Sequence, residues 1–273
     1  MTDVIVDPPV PDDVTPVRRT DGQDGSGPIL PSTAAGPNAA LAEPPPAPEE
    51  GVNPFHACKG VITIVDADKG IVRETMPDGV TPRRKFAICG FASSSRDQVP
   101  VNDPEWSIWG LNQLYRHIRR ADRWFDIHWN WDSETVPGTD YRAWVRDCGI
   151  PFYMTKRHAD LPTSVRYPLE RIAANLTDYF TSTIAFMLAL AIDTIDEQVA
   201  TQLMSETFAS PLALLERQRE LYAEHCIGIF GVDLVVGTEY FHEKPCAEFW
   251  IGAAAIGRGI KVHIPQESAL VRA

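Results

Sequence analysis

A short apolar run that stops at a glycine and passes into hydroxyl residues constrains this chain more than any other feature. It reads Lys85-Phe86-Ala87-Ile88-Cys89, then Gly90-Phe91-Ala92, then Ser93-Ser94-Ser95. A buried parallel strand ends this way when its loop approaches a nucleotide or phosphate. Glycine allows close backbone approach, and backbone amides with serine hydroxyls receive the anion. About twenty residues later, Ser107-Ile108-Trp109-Gly110-Leu111 ends at Asn112, where a second strand reaches the same sheet edge. Ligands of open α/β sheets sit beyond the carboxyl ends of the strands. Gly90, Ser93, Ser94, Ser95 and Asn112 are therefore candidate nucleotide ligands. A plain strand-turn-helix with serine caps explains the same two runs, and alone they do not choose.

Further strands are predicted over 124–128, 151–154, 227–232 and 261–264, with helical patterns over 114–121, 141–147, 183–195, 212–225 and 247–258. Strands alternating with helices imply a Rossmann-like α/β domain over 85–273, with a mainly parallel sheet and helices on both faces. The helix at 183–195 is apolar nearly all round, so it belongs deep in the domain. Upstream, Val61-Ile62-Thr63-Ile64-Val65 and Ile71-Val72-Arg73-Glu74 flank an Asp/Gly turn, which reads as a β-hairpin within a linker at 55–84. Residues 1–50 hold eleven of the 23 prolines and no aromatic residue. Such a stretch buries too little apolar surface to offset its chain entropy, so 1–54 is expected to be a disordered tail.

Composition narrows the function classes. A net charge of −12 argues against a general nucleic-acid coat protein. Arg116, Arg119, Arg120 and Arg123, with His117 among them, form one basic cluster, whose spacing reads as a solvated helix face. The five cysteines show no CxxC spacing and no disulfide framework, which points to reduced thiols and a cytoplasmic location. The start Met1-Thr2-Asp3-Val4 lacks the basic and apolar regions of a secretory leader, and no apolar run is long enough to span a membrane.

Acid–base chemistry has three candidate locations. Asp126 and His128, two apart on a predicted strand, share a face, so Asp126 can orient His128 or contact substrate, or His128 can face a ligand alone; a structural histidine beside the sheet edge explains the pair as well. Thr181 and Ser182 open the apolar helix, where they cap it or leave amides for an anion. Asp233, just past the 227–232 strand, can accept from a ribose hydroxyl or hold a loop. A few residues on, Tyr240, His242 and Lys244 form a polar cluster; His242 is the preferred general base, with Tyr240 and Lys244 as phosphate or substrate contacts. The Asp66-Ala67-Asp68 triplet falls in the turn of the predicted hairpin and no His/Cys ligand set is present, so neither a metal nor another cofactor is called for.

Tyr179-Phe180-Thr181-Ser182-Thr183-Ile184-Ala185-Phe186-Met187, continuing to Ile192, resembles the hydroxyl-rich start and apolar body of a helix in bacterial CMP-sialic-acid sialyltransferases. In that family the helix is followed by a strand ending Gly-Ile/Val-Asp, to which Ile229-Phe230-Gly231-Val232-Asp233 is similar. The glycine and serine loop and the strand-terminal Asn of that family resemble Gly90–Ser95 and Asn112. The whole set also resembles a Rossmann-like group encoded in bacteriophage genomes. The second glycine and the proline of the family's first loop are absent here, and 196–224 reads as an insertion. The resemblance implies a metal-independent, glycosyltransferase-like enzyme that passes a group from a nucleotide-activated donor to a hydroxyl acceptor, with a modified DNA base as one acceptor. A nucleotide-binding module without turnover, and an interaction protein on a degenerate core, stay open beside it.

Overall fold

The central strands send alternate side chains into two separate cores, and this alternation explains the layered architecture. Phe86, Ile88, Trp109, Phe125, Tyr153, Ile227 and Ile229 enter one core, while Ala87, Cys89, Ile108, Trp124, Phe152 and Phe230 enter the other. The computed structural model describes residues 60–128, 131, 140–234 and 243–271; the proline-rich 1–54 segment lies outside them. The strands are β3 (Lys85–Cys89), β4 (Trp106–Leu111), β5 (Arg123–Asp126), β6 (Phe152–Met154), β7 (Ser164–Arg166), β8 (Cys226–Phe230) and β9 (Lys261–His263). They pair in the order β7-β6-β5-β4-β3-β8-β9, and every pairing is parallel. A hairpin of β1 (Val61–Asp66) and β2 (Ile71–Thr75) precedes this sheet, with Val61 opposite Thr75 and Ile64 opposite Val72.

The sheet grows outward from β3 in both directions, so the order reverses between β3 and β8. A Rossmann-like sheet opens a ligand crevice at such a switch point. One face carries α2 (Leu169–Asn175), α3 (Thr183–Met204) and α5 (Glu243–Arg258), with α4 (Pro211–Ala223) packed on α3. The other carries α1 (Tyr141–Asp147) and the aromatic side chains around it. Ile184, Met187, Leu188, Leu190, Ile192 and Ile195 of α3 are all buried, each contributing about 1.5–3 kcal/mol in place of exposure. Ser182 starts this helix, its hydroxyl accepting from the Ala185 amide at 3.3 Å. No helix among the described residues is long and apolar enough to cross a membrane.

Several local expectations are corrected. The 114–121 helix is only a tight turn over Asn112–Arg116, and the basic cluster is not one solvated face. Arg120 and Arg123 are 4% and 1% exposed, because carboxylates draw them inward. Arg120 donates to Asp122 at 3.0 Å, and the Nε of Arg123 to Glu74 at 3.3 Å. Arg83, fully buried, bridges Glu74 and Asp122 at 3.3 and 3.2 Å. Burial, reinforced by Asp122, pushes the Glu74 carboxyl above its ordinary range, while Arg123 and Arg83 oppose that shift. This network ties the hairpin to the amino ends of β4 and β5. The stretch read as an insertion is the last turns of α3 followed by α4. Strand β7 and helix α2 were not anticipated, since each is short and lies beside Pro162 or Pro168.

Candidate functional site

Two glycines lock the switch point. The amide of Gly90 donates to the Phe230 carbonyl at 2.8 Å, and that of Ala92 to the Gly231 carbonyl at 2.8 Å. A Cβ on Gly90 would overlap the Gly231 carbonyl oxygen, and one on Gly231 would sit 2.5 Å from the Gly90 oxygen. The close approach expected of Gly90 is thus made to the neighbouring loop. Gly231 also has φ +64, so Gly231→Ala adds left-handed strain of about 1–2 kcal/mol to that overlap. A thermal melt is expected to show a clear loss; an unchanged melting temperature would mean the two loops separate freely.

The loop after β3 is bound further by its serines. Ser94 donates to Oδ1 of Asp233 at 2.8 Å, and the Gly231 amide donates to the Ser95 hydroxyl at 2.9 Å. Asp233 Oδ1 also accepts from the Ala269 amide at 2.9 Å. Ser94, Ser95 and Asp233 were expected as nucleotide contacts. The bonds seen for Ser94 and Ser95 hold the loops together, and the Asp233 carboxylate does the same through Oδ1. Ser93 and the backbone of Gly90 face the cleft.

This cleft, about 1480 Å³ in volume, opens along the carboxyl edge from β7 to β8. It exceeds the roughly 300–1000 Å³ of a single small-molecule pocket, leaving room for a second reactant. Of the candidates, Gly90, Ser93, Asn112, His128, Thr181, Ser182 and Asp233 line it. Asp126 stands behind His128. Lys244 lies on α5, 3.9 Å from Glu248, while its neighbour Glu243 lines the cleft. Tyr240 and His242 lie outside the described residues.

Asn112, immediately after β4, lies in the left-handed region, φ 46, and its Oδ1 is buried with no hydrogen-bond partner. Its main-chain oxygen is held by the Trp124 indole at 2.9 Å. Strain and an orphaned acceptor on one cleft-lining residue mark a place where a ligand donor belongs. Asn112→Gly removes both, so the unliganded protein should melt at the same or a higher temperature. Ligand affinity should fall by about 1–3 kcal/mol. A variant that binds as tightly as the parent would remove Asn112 from the site.

His128 stands just past the end of β5, its ring Nδ1 2.5 Å from Oδ1 of Asp126. Asp126 is 5% exposed, and its Oδ2 accepts from the Tyr141 hydroxyl at 2.9 Å. Burial, with Asp126 beside it, pushes the Tyr141 phenol well above its ordinary range, so it stays a donor. Thr155 donates to the His128 carbonyl at 3.4 Å. The imidazole is therefore oriented from behind, and its side chain is 40% exposed at the cleft wall. Across the cleft, Thr181, Ser182 and Thr183 present the start of α3. First-turn amides of a helix have no partner within it, and the 22-residue dipole favours an anion there.

Sequence reasoning missed several lining residues: Phe91, Thr155, Arg166, Glu170, Asp178 and Glu243. Phe91 lay inside the loop after Gly90 and Glu243 inside the polar cluster at 240–244; the others lay outside every motif singled out. Arg166 is engaged by Glu170, so the interior is richer in carboxylates than in available cations. Among the described residues, no group of three or more His, Cys, Asp or Glu side chains could hold a metal ion.

No protein-family profile matches the chain, and no curated protein does. Among solved structures, the chain is similar to the sialyltransferase CstII from Campylobacter jejuni in complex with a substrate analogue, cytidine-5'-monophosphate. Identity is 12% over 66% of this chain and 79% of that one, with a TM-score of 0.31. The same enzyme with CMP-3FNeuAc gives 10% identity, 66% and 80% coverage, and a TM-score of 0.31. A mutant of the α-2,3/8-sialyltransferase CstII gives 10%, 66%, 81% and 0.32. Likeness at this level assigns no residue a role, and the reading of the site rests on its own geometry.

Proposed function

We propose that the chain is a nucleotide-binding, glycosyltransferase-like transferase that moves a group from a nucleotide-activated donor to a hydroxyl acceptor. One observation carries this reading: a histidine oriented by a buried carboxylate faces the same cleft as the switch-point loop and the start of α3. In this reading Gly90, Ser93 and Asn112 hold the nucleotide, and the amides at the head of α3 receive its phosphate. His128, with Nδ1 held by Asp126, takes the acceptor proton at Nε2. The acceptor oxygen then bonds to the transferred carbon as that carbon's bond to the phosphate breaks, and the bonding pair leaves with the phosphate. The positive end of the α3 dipole stabilises the departing charge.

Thermal melting against a panel of nucleotides and nucleotide sugars tests the binding half. A true ligand at 100 times its dissociation constant adds about 2.7 kcal/mol, or roughly 5–10 °C for a domain of this size. Slow release of free nucleotide from the donor that shifts the melt would support transfer chemistry. A shift without release, even with hydroxyl acceptors added, would leave a binding module; no shift with any nucleotide would sink the reading.

A further inference from the structure

The exposed remainder of the basic cluster adjoins the cleft, and an aromatic ring joins the two. Phe91 lines the cleft, is 44% exposed, and meets the ring of His117 edge-on at 6.4 Å. Arg96 donates to the Phe91 carbonyl at 3.0 Å. The His117 imidazole is held below its ordinary range first by burial and then by the charges of Arg96 and Arg116. Arg116 rests over the ring of Tyr115 at 5.7 Å. Arg116 and Arg119 are exposed and make no ion pair among the described residues, unlike Arg120 and Arg123 beside them. Asp97, 3.7 Å from Arg96 and 86% exposed, is the one carboxylate seen paired within the patch.

We infer that this surface docks a single-stranded nucleic acid at the mouth of the cleft. An exposed ring amid arginines is the combination that binds such strands: the ring stacks a base and the guanidiniums meet phosphates. Duplex DNA offers no free base face to Phe91, and an acidic peptide offers no base at all. Among the described lining residues the one guanidinium, Arg166, is engaged by Glu170, so the interior offers a phosphate backbone no matching run of cations. The strand therefore stays on the rim, and only a base or a hydroxyl group enters. As the acceptor of the transfer this strand rests on the function proposed above; as a bound partner it does not.

Fluorescence anisotropy of the full chain with a labelled 12-nucleotide single strand, at low salt, tests it. Binding should weaken with salt, and the double variant R116E/R119E should lose at least tenfold in affinity. It should also flatten the log–log salt slope by about 1.4, at roughly 0.7 per phosphate contact. Phe91→Ala should lose about 5- to 150-fold. Melting curves of both variants establish that they fold. Failure to bind the strand, equal binding of the matching duplex or of polyglutamate, or variants that bind like the parent would each overturn the inference. If R116E/R119E keeps the nucleotide-induced melting shift, the docking surface and the donor site are tested apart. Strand binding without any nucleotide shift would sink the transferase reading and leave the surface standing.

Discussion

Turnover by the His128→Ala variant is expected to fall by about 10²–10⁴-fold, the usual contribution of a positioned general base, with donor affinity nearly unchanged. The expectation follows from the division of labour within the cleft. His128 is proposed to touch the reacting acceptor, and the nucleotide to lie on Gly90, Ser93, Asn112 and the head of α3, across the opening. Asp126 fixes the ring by holding Nδ1 at 2.5 Å, and the proposed reading gives Nε2 the substrate proton. Asp126→Asn should therefore also cut turnover steeply, because an amide at that position can stabilise the wrong tautomer or fail to stabilise the imidazolium. Tyr141→Phe removes only the second-hand support to Oδ2 and should lower the rate far less. The decisive measurement is the kcat of His128→Ala beside its nucleotide-induced melting shift. A variant that turns over normally would free His128 from the mechanism and return attention to His242. One that loses donor binding as far as turnover would make His128 a ligand rather than a base.

Much of this could be read from the chain because strands buried on both faces announce themselves as apolar runs. Lys85–Cys89 and Cys226–Phe230 were legible for that reason, and so was the apolar helix beginning at Thr183. The pairing of Asp126 with His128 was legible from the two-residue period alone, although the strand stops at Asp126 and the histidine lies just beyond it. What could not be read depended on distant partners. The serine run after Gly90 has the look of an anion loop, but Ser94 and Ser95 bond to residues more than 130 positions away. Gly231 matters through Gly90, a relation no local pattern contains. The arginines of 116–123 look alike in sequence; only the fold brings Glu74 and Asp122 to Arg120 and Arg123 and leaves Arg116 and Arg119 outside. Arg166, Asp178 and Glu243 became lining residues through topology, since β7, the head of α3 and α5 all open on one edge.

The division among those arginines leads to the largest effect expected on stability. Asp122 is fully buried, and its Oδ2 accepts from Arg83 at 3.2 Å, Arg120 at 3.0 Å and the Ile108 amide at 2.8 Å. Its removal leaves two guanidiniums and a strand amide without that acceptor in a region water does not reach. Arg120 still donates to the carbonyls of Asp103 and Trp106 at 2.9 and 2.6 Å, and Arg83 still reaches Glu74. Those contacts satisfy hydrogen bonds but supply less charge than before. Breaking a buried pair by deleting one partner typically costs about 3–5 kcal/mol, so Asp122→Ala should lower the melting temperature by roughly 6–20 °C. Arg157, whose contact with Asp68 at 3.3 Å is solvent-exposed on both sides, serves as the comparison, because exposed pairs contribute little. Arg157→Ala should melt almost like the parent. If Asp122→Ala melts within two or three degrees of it as well, the network only fills space. The hairpin would then owe its place to Val72 and its apolar neighbours, and not to the ions beneath it.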